Sequence, residues 1–347
     1  MPTRPHHLRR GVLGPGIAAA LMCATVLSAC GSSDSSGSDA ASESSSSSSS
    51  TGSDTLQKVT IQRGLNTGWQ PVIWAVDNGY FEENGLDVTV NIASADTSKN
   101  IPNLVSGQID ITQTSIQPVT SARGQGLPVR IVSGAQNATA NTTQDDSCLA
   151  PPDSSITELA DLEGAKVAVP SLGHPLQIVN NVAMRNEGLD PSKVSYVALE
   201  TASMIDAALN GTVDAICANA SYYFTAIDQG FTALNKGTVG EIPDAAQIVW
   251  GATDDYAEEH ADIIAKFQTA MEEAYSYLNE HPEDYRQVTL DNSDMTEEVV
   301  AQMAIPDMST ALSRTAAETI ANEMKLSGFV DTVPSIDELI DSSVPDL

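Results

Sequence analysis

Ser171 and His174 are the pair in this chain whose types could make a nucleophile and a base. They stand three positions apart in Pro170-Ser171-Leu172-Gly173-His174-Pro175. A hydroxyl activated by an imidazole needs hydrogen-bond reach and a third group to orient the base. Two residues of one short turn do not by themselves provide that geometry. The chain has no His-Glu-x-x-His, no CxxC and no glycine loop ending in lysine. His260 and His281 stand among acidic residues and read as solvated. His174 is expected to hydrogen-bond or to cap a helix. No catalytic residue, metal ligand or cofactor is expected.

Residues suited to holding a ligand are more numerous. Asn66, Thr67, Trp69 and Gln70 share one loop, and Ser171, Gly173 and His174 share another. Thr114 and Ser115 follow one short apolar strand, Asn219 and Tyr222 follow a second, and Trp250 lies on a third. Amide and hydroxyl groups beside one or two aromatic walls suit a small polar or heterocyclic molecule. Helix starts after these loops would add unpaired N–H groups and the positive end of the dipole. Only Arg63 is a nearby cation in sequence, so the charge of the ligand stays open.

The elements that must position these residues can be read from spacing. Pro71 suits a first helical position, where its missing N–H costs nothing. Val72, Ile73, Val76 and Tyr80 follow at helical spacing, and Asn84-Gly85 is a natural stop. Leu86, Val88, Val90 and Ile92 then alternate with polar residues as in a half-buried strand. With the apolar run Val59 to Leu65 upstream, this is a βαβ crossover. Its loop lies at the carboxyl end of the first strand, where open α/β sheets bind ligands.

Leu104-Val105-Ser106-Gly107-Gln108-Ile109-Asp110-Ile111 returns as Leu209-Asn210-Gly211-Thr212-Val213-Asp214-Ala215-Ile216. Each is a helix stopped at glycine that feeds a strand through one aspartate, which predicts two lobes of similar topology. The polar stretch Ala138 to Pro152 is the expected crossover. After it come a short helix over 155–164, with Glu158 at capping-box distance from Ser155, and a strand, turn, helix, strand order like the first. Gln247 to Ala252 should return to the first lobe. A long amphipathic helix is expected over 257–279, and further helices over 296–304 and 308–326. The expected lobes are 57–147 with 248–347, and 148–247.

Proline, an apolar run with alanine, Gly79-Tyr80-Phe81 and Gly85-Leu86-Asp87-Val88 together resemble the opening lobe of the solute-binding proteins of ABC importers. The branch is the one for nitrate, sulfonates, taurine and thiamine-pyrimidine precursors. The resemblance extends in pieces from about Val59 to Asp341. It implies an α/β, two-lobed periplasmic-binding-protein type II fold with a ligand cleft between lobes. It also implies a small-molecule ligand, an ABC permease and an ATPase as partners, and a monomer. In that fold the strand near Cys148 would lie beside the one carrying Cys217, so a disulfide and two buried thiols are both open. The family often has Trp-Glu-Pro where this chain has Asn219-Ala220-Ser221, so its ligands do not transfer. The pyrimidine-synthase branch has a cysteine-rich motif that this chain lacks.

At the N-terminus, Arg4, Arg9 and Arg10 precede an apolar stretch interrupted by Gly14-Pro15-Gly16. Leu27-Ser28-Ala29-Cys30-Gly31 resembles a bacterial lipobox, implying cleavage before Cys30 and lipidation of its thiol. An ordinary signal peptide is the alternative. Residues 31–56 are mostly Ser, Gly, Asp, Ala and Thr, a composition with nothing to bury and a tether's character. The reading is therefore a protein anchored by lipid on the extracytoplasmic face. Without the three leader arginines, 13 basic residues face 46 acidic ones, which excludes a nucleic-acid partner. Rival readings are an extracytoplasmic enzyme using the same cleft, and a ligand-sensing lipoprotein without a transport role.

Overall fold

The structure, a computed structural model, describes residues 55–64, 68–92, 100–293, 295–303 and 305–347. The leader with Cys30, most of the tether, and Asn66 and Thr67 lie outside the described residues.

β1 (Gln57–Arg63) leads through α1 (Gln70–Asp77) and α2 (Tyr80–Glu83) to β2 (Leu86–Ile92), which lies parallel to β1. Pro71 opens α1 as its sequence position predicts. Gly79, at φ +79°, divides in two the single helix expected there. α3 (Ile101–Val105), β3 (Ile111–Thr114), α4 (Ile116–Gly124) and β4 (Val129–Ala138) follow.

The second lobe opens with β5 (Asp146–Ala150), β6 (Lys166–Val169), α5 (Pro175–Asn186) and β7 (Ser195–Ala198). It closes with α6 (Thr201–Leu209), β8 (Ala215–Asn219), α7 (Ala220–Asp228), β9 (Thr232–Ala233) and α8 (Gly237–Glu241). β10 (Ala245–Thr253) then returns to the first sheet, antiparallel between β3 and β4. After it run α9 (Asp254–Glu259), α10 (Ala261–Glu280), α11 (Pro282–Asp291) and α12 (Glu297–Gln302). β11 (Asp307–Met308), α13 (Arg314–Leu326) and α14 (Ile336–Leu339) end the chain.

The first sheet has the order β11-β4-β10-β3-β1-β2 and the second β7-β6-β8-β5-β9. Read as β4-β10-β3-β1-β2 and β9-β5-β8-β6-β7, the two share one order and one set of strand directions. The sequence echo has a matching physical cause. The Asp110 carboxylate accepts the Thr60 N–H at 2.7 Å, and its own N–H donates to the Thr60 carbonyl at 2.9 Å. Asp214 makes the same pair of bonds to Lys166, at 2.7 and 2.8 Å. Each aspartate thus locks the start of its strand to the parallel neighbour.

α10 supplies the core of the first lobe. Phe267, Ala270, Met271, Ala274 and Leu278 recur at helical spacing and are wholly buried. Each large side chain of this kind stabilises by about 1.5–3 kcal/mol on burial. A second core crosses between lobes: Ile178, Val179 and Val182 of α5 join residues of α4 and α13. Cys148 and Cys217 face each other on β5 and β8 and are joined by a disulfide.

Three further element expectations change. The helix over 155–164 is a 3-10 turn, Leu159–Leu162, with its capping box on Glu158 and Asp161 rather than Ser155 and Glu158. The helix over 257–279 is interrupted at His260, where ψ is +38°. The helix expected from Met308 begins only at Arg314. Residues before it are taken by the edge of β4: Asp307 and Met308 pair with Asn137 and Gln136, and Gly134 donates to the Thr310 carbonyl at 2.8 Å. A sheet edge with unpaired groups outcompetes local helix propensity there.

Candidate functional site

Two cavities lie between elements of the two lobes. The larger, about 240 Å³, is walled on the first-lobe side by Gln136 of β4, Gln247 of β10, Tyr285 of α11 and α12. Ala220, Ser221, Phe224, Thr225 and Asp228 of α7 line it from the second lobe, together with Thr142 and Asp145 of the crossover. A cavity of roughly 150 Å³ can hold benzene, so one small ring compound fits here.

Tyr285 is fixed by a buried relay. Its hydroxyl donates to Gln70 Oε1 at 3.0 Å, and Gln70 Nε2 donates to Thr289 Oγ1 at 3.1 Å. Gln70 is fully buried. It therefore acts on this cavity through Tyr285 rather than as a wall.

Asp145 is set by the join between crossover and helix. The Ala220 N–H donates to the Asp145 carbonyl at 2.8 Å, and Ala220 takes the left-handed φ of +49° as α7 begins. Burial, helped by the charge of adjacent Asp146, pushes the Asp145 carboxyl up to about 7. Asp146 differs: its carboxylate accepts Thr238 N–H at 3.0 Å and Thr238 Oγ1–H at 2.6 Å. Among the described residues no side-chain donor meets the Asp145 carboxylate.

The second cavity, about 230 Å³, collects Ser115, Gln117, Pro118 and Ser121 with Ser171, Gly173, His174, Met324 and Phe329. Four expected site residues (Ser115, Ser171, Gly173 and His174) are thus brought together at the starts of α4 and α5. Ser115 does not cap α4 with its side chain, and its buried hydroxyl has no partner among the described residues; the same holds for the Thr114 hydroxyl. His174 does cap α5: Nδ1 accepts the Leu176 N–H at 3.3 Å. Gly173 has φ +79°, and a Cβ there would lie 3.2 Å from the Phe329 ring.

The remaining expected residues lie elsewhere. Asn219 and Tyr222 are exposed and line neither cavity, while their neighbours Ala220 and Ser221 do. Trp69 is buried beneath Arg63, whose guanidinium carbon sits 4.5 Å from the ring centroid. Burial lowers the Arg63 pKa, and Nη1 donates to the Gly64 carbonyl at 3.0 Å. Trp250 is corrected from cleft wall to core. It is fully buried, donates to the Tyr275 hydroxyl at 3.0 Å and meets Phe267 edge-on. Gln136, Asp145, Phe224 and Tyr285 escaped the sequence reading. The adjacent pair Asp145-Asp146 before an apolar strand was the available signal, hidden in a stretch that read as linker.

A sequence model of a family described as NMT1/THI5-like matches residues 66–285, well over half of the chain. The chain belongs to the NMT1/THI5-like family. One relative is the formylaminopyrimidine-binding protein of Halalkalibacterium halodurans, 27% identical over 236 residues. That match covers 63% of this chain and 65% of the relative, so it spans less than two thirds of the relative's length. Among solved structures, this family member is similar to the periplasmic aliphatic sulphonate binding protein SsuA from Escherichia coli. The TM-score is 0.68 at 19% identity, covering 83% of this chain and 98% of that one. The periplasmic nitrate-binding protein NrtA from Synechocystis gives 0.62 at 17% identity, covering 83% and 87%. These likenesses show the two-lobed periplasmic-binding-protein fold for this NMT1/THI5-like chain. Among the described residues no helix is long and apolar enough to cross a membrane.

Proposed function

We propose that this chain is the extracytoplasmic substrate-binding component of an ABC importer, capturing a small organic solute between its lobes. The observation that carries the reading is the make-up of the cavity walls: each is built from first-lobe and second-lobe elements together. Contacts from both walls exist only when the lobes are closed, so a solute shifts the hinge equilibrium by its differential affinity. The binding proteins for formylaminopyrimidine, sulphonate and nitrate to which it is similar support the same role. The lobes are 57–145 with 245–347, and 146–244, the chain crossing at the starts of β5 and β10. The closed monomer docks on a permease driven by a cytoplasmic ATPase, and the contacts to solute are non-catalytic.

In this reading Cys30 carries lipid and residues 31–56 tether the receptor to the membrane. Replacing Cys30→Ser should release the protein from the membrane fraction, and unchanged membrane retention would refute lipidation there. The binding role is tested by thermal-shift screening of the purified protein with nitrate, sulfonates, pyrimidines, amines and aromatic acids. A ligand at a hundred times its dissociation constant stabilises the folded state by about 2.7 kcal/mol, a shift of several degrees. Silence across all solute classes at saturating level would end the receptor reading.

A further inference from the structure

The larger cavity carries more information about its guest than the fold does. Its polar lining is unbalanced. Asp145, Asp228 and Glu298 face it, and no lysine, arginine or histidine lines it. Phe224 and Tyr285 supply flat apolar surface, and Gln136 and Gln247 supply neutral amides. Asp228 and Glu298 are exposed residues of α7 and α12, whereas Asp145 is half-buried and its carbonyl accepts the Ala220 N–H.

A buried carboxylate keeps its charge when something donates to it. Asp146 shows the satisfied state one residue away, with both Thr238 donors in place. Asp145 is half-buried, and beyond its own backbone N–H it has no such side-chain donors among the described residues. Its unused acceptor capacity faces space of the size of one ring compound.

We infer that the solute held in this cavity is an organic cation: a small amine, amidine or guanidine on a flat or ring body. Its N–H donors meet the Asp145 carboxylate, and its apolar face lies against Phe224 and Tyr285. The inference rests on the receptor reading above and deepens it. It sets the sign of the ligand opposite to that of a nitrate or a sulfonate, because Asp145 can accept from a cation's N–H groups but repels an anion, and the exposed Asp228 and Glu298 of the lining carry the same sign.

Affinity should depend on pH in one direction. Asp145 gives up its proton to bind a cation, so binding tightens as pH rises toward about 7 and levels off above it. The groups that feel Asp145 are Asp146 at the start of β5, Tyr223 on α7 and Tyr285 on α11, and the other acids of the lining are Asp228 on α7 and Glu298 on α12. All are acidic or neutral there, so none reverses the sign.

The test is calorimetric titration of the full-length protein with benzamidinium, benzylammonium, guanidinium and agmatine. Benzenesulfonate, nitrate and benzamide serve as anionic and neutral counterparts. At least one cation should bind, more than tenfold tighter at pH 8 than at pH 5.5. Asp145→Asn should weaken that binding tenfold or more and flatten its pH dependence. Asp145→Glu, which keeps the charge, should recover part of it and show that the loss is not misfolding. Binding of benzenesulfonate, nitrate or benzamide in preference to every cation would overturn the cation assignment and leave the receptor reading standing. Binding of no compound in this panel overturns the cation assignment; failure of the wider solute screen as well overturns the receptor reading. A cation that binds equally well to Asp145→Asn would overturn the role of this carboxylate.

Discussion

Asp145 is a carboxylate held where water reaches it poorly and beside a second carboxylate, so the folded chain favours its neutral form. Its folded value of about 7 stands above the ordinary 3.8 of an exposed aspartate. With the folded pKa raised, the folded state binds the proton more tightly than the unfolded one. The stabilisation is fully present below about pH 4 and is lost as pH rises through about 7. Asp146 is raised in the same sense by burial and adds to the trend. Asp145→Asn cannot titrate and should escape its own part of the loss. The difference in melting temperature between Asp145→Asn and the parent should therefore grow in favour of the variant from pH 4 to pH 7, then stay level. A difference that is constant with pH would show that Asp145 is solvated like a surface acid.

The helix α13, which gives Met324 to the smaller cavity, also ties the first lobe to α5 of the second. Its Glu323 is almost fully buried and accepts from Arg185 Nε of α5 at 2.9 Å. Ser327 donates to the same carboxylate at 2.6 Å, and Asn181 of α5 donates to Ser327 Oγ at 2.8 Å. These bonds lie beside the apolar core that α4, α5 and α13 share. Removing Glu323 leaves the Arg185 cation poorly compensated and the Ser327 hydroxyl without its acceptor. Glu323→Ala should lower the unfolding free energy by about 2–3 kcal/mol in urea titration, with Glu323→Gln losing less. Equal stability of Glu323→Ala and the parent would mean that apolar packing alone joins α13 to α5.

For the whole molecule, the disulfide is the covalent constraint on the second lobe. It joins residues 69 apart, and both sulfurs are buried between β5 and β8. Closing a loop of that length restricts the unfolded chain by about 4 kcal/mol in the chain-entropy account. The Cys148→Ser, Cys217→Ser double variant should lose about 2–4 kcal/mol of stability in chemical denaturation. No measurable loss would mean that packing already holds β5 against β8 without the bond. The formal charge of −30 acts at this scale as well. It favours solubility and opposes compaction, so stability of the fold should owe little to its surface ion pairs.

Local pattern by itself determined the repeated architecture. Proline at the openings of α1 and α5, glycine at the helix stops, and Asp110 and Asp214 before their strands are contiguous features. They act within one turn or across one pair of neighbouring strands, so a linear reading reaches them. The same reading found four residues of the second cavity, because helix starts at the carboxyl ends of strands face the cleft by topology. Only tertiary structure decided the rest. Gln70 meets Tyr285 across 215 positions of sequence, Trp250 disappears into the core under α10, and Asp145 becomes a half-buried acid in the cavity wall with a raised pKa. Burial and the environment of a charge are sums over groups that the fold, not the sequence order, brings near. A residue's type can be read from the chain, but its solvent and its partners cannot.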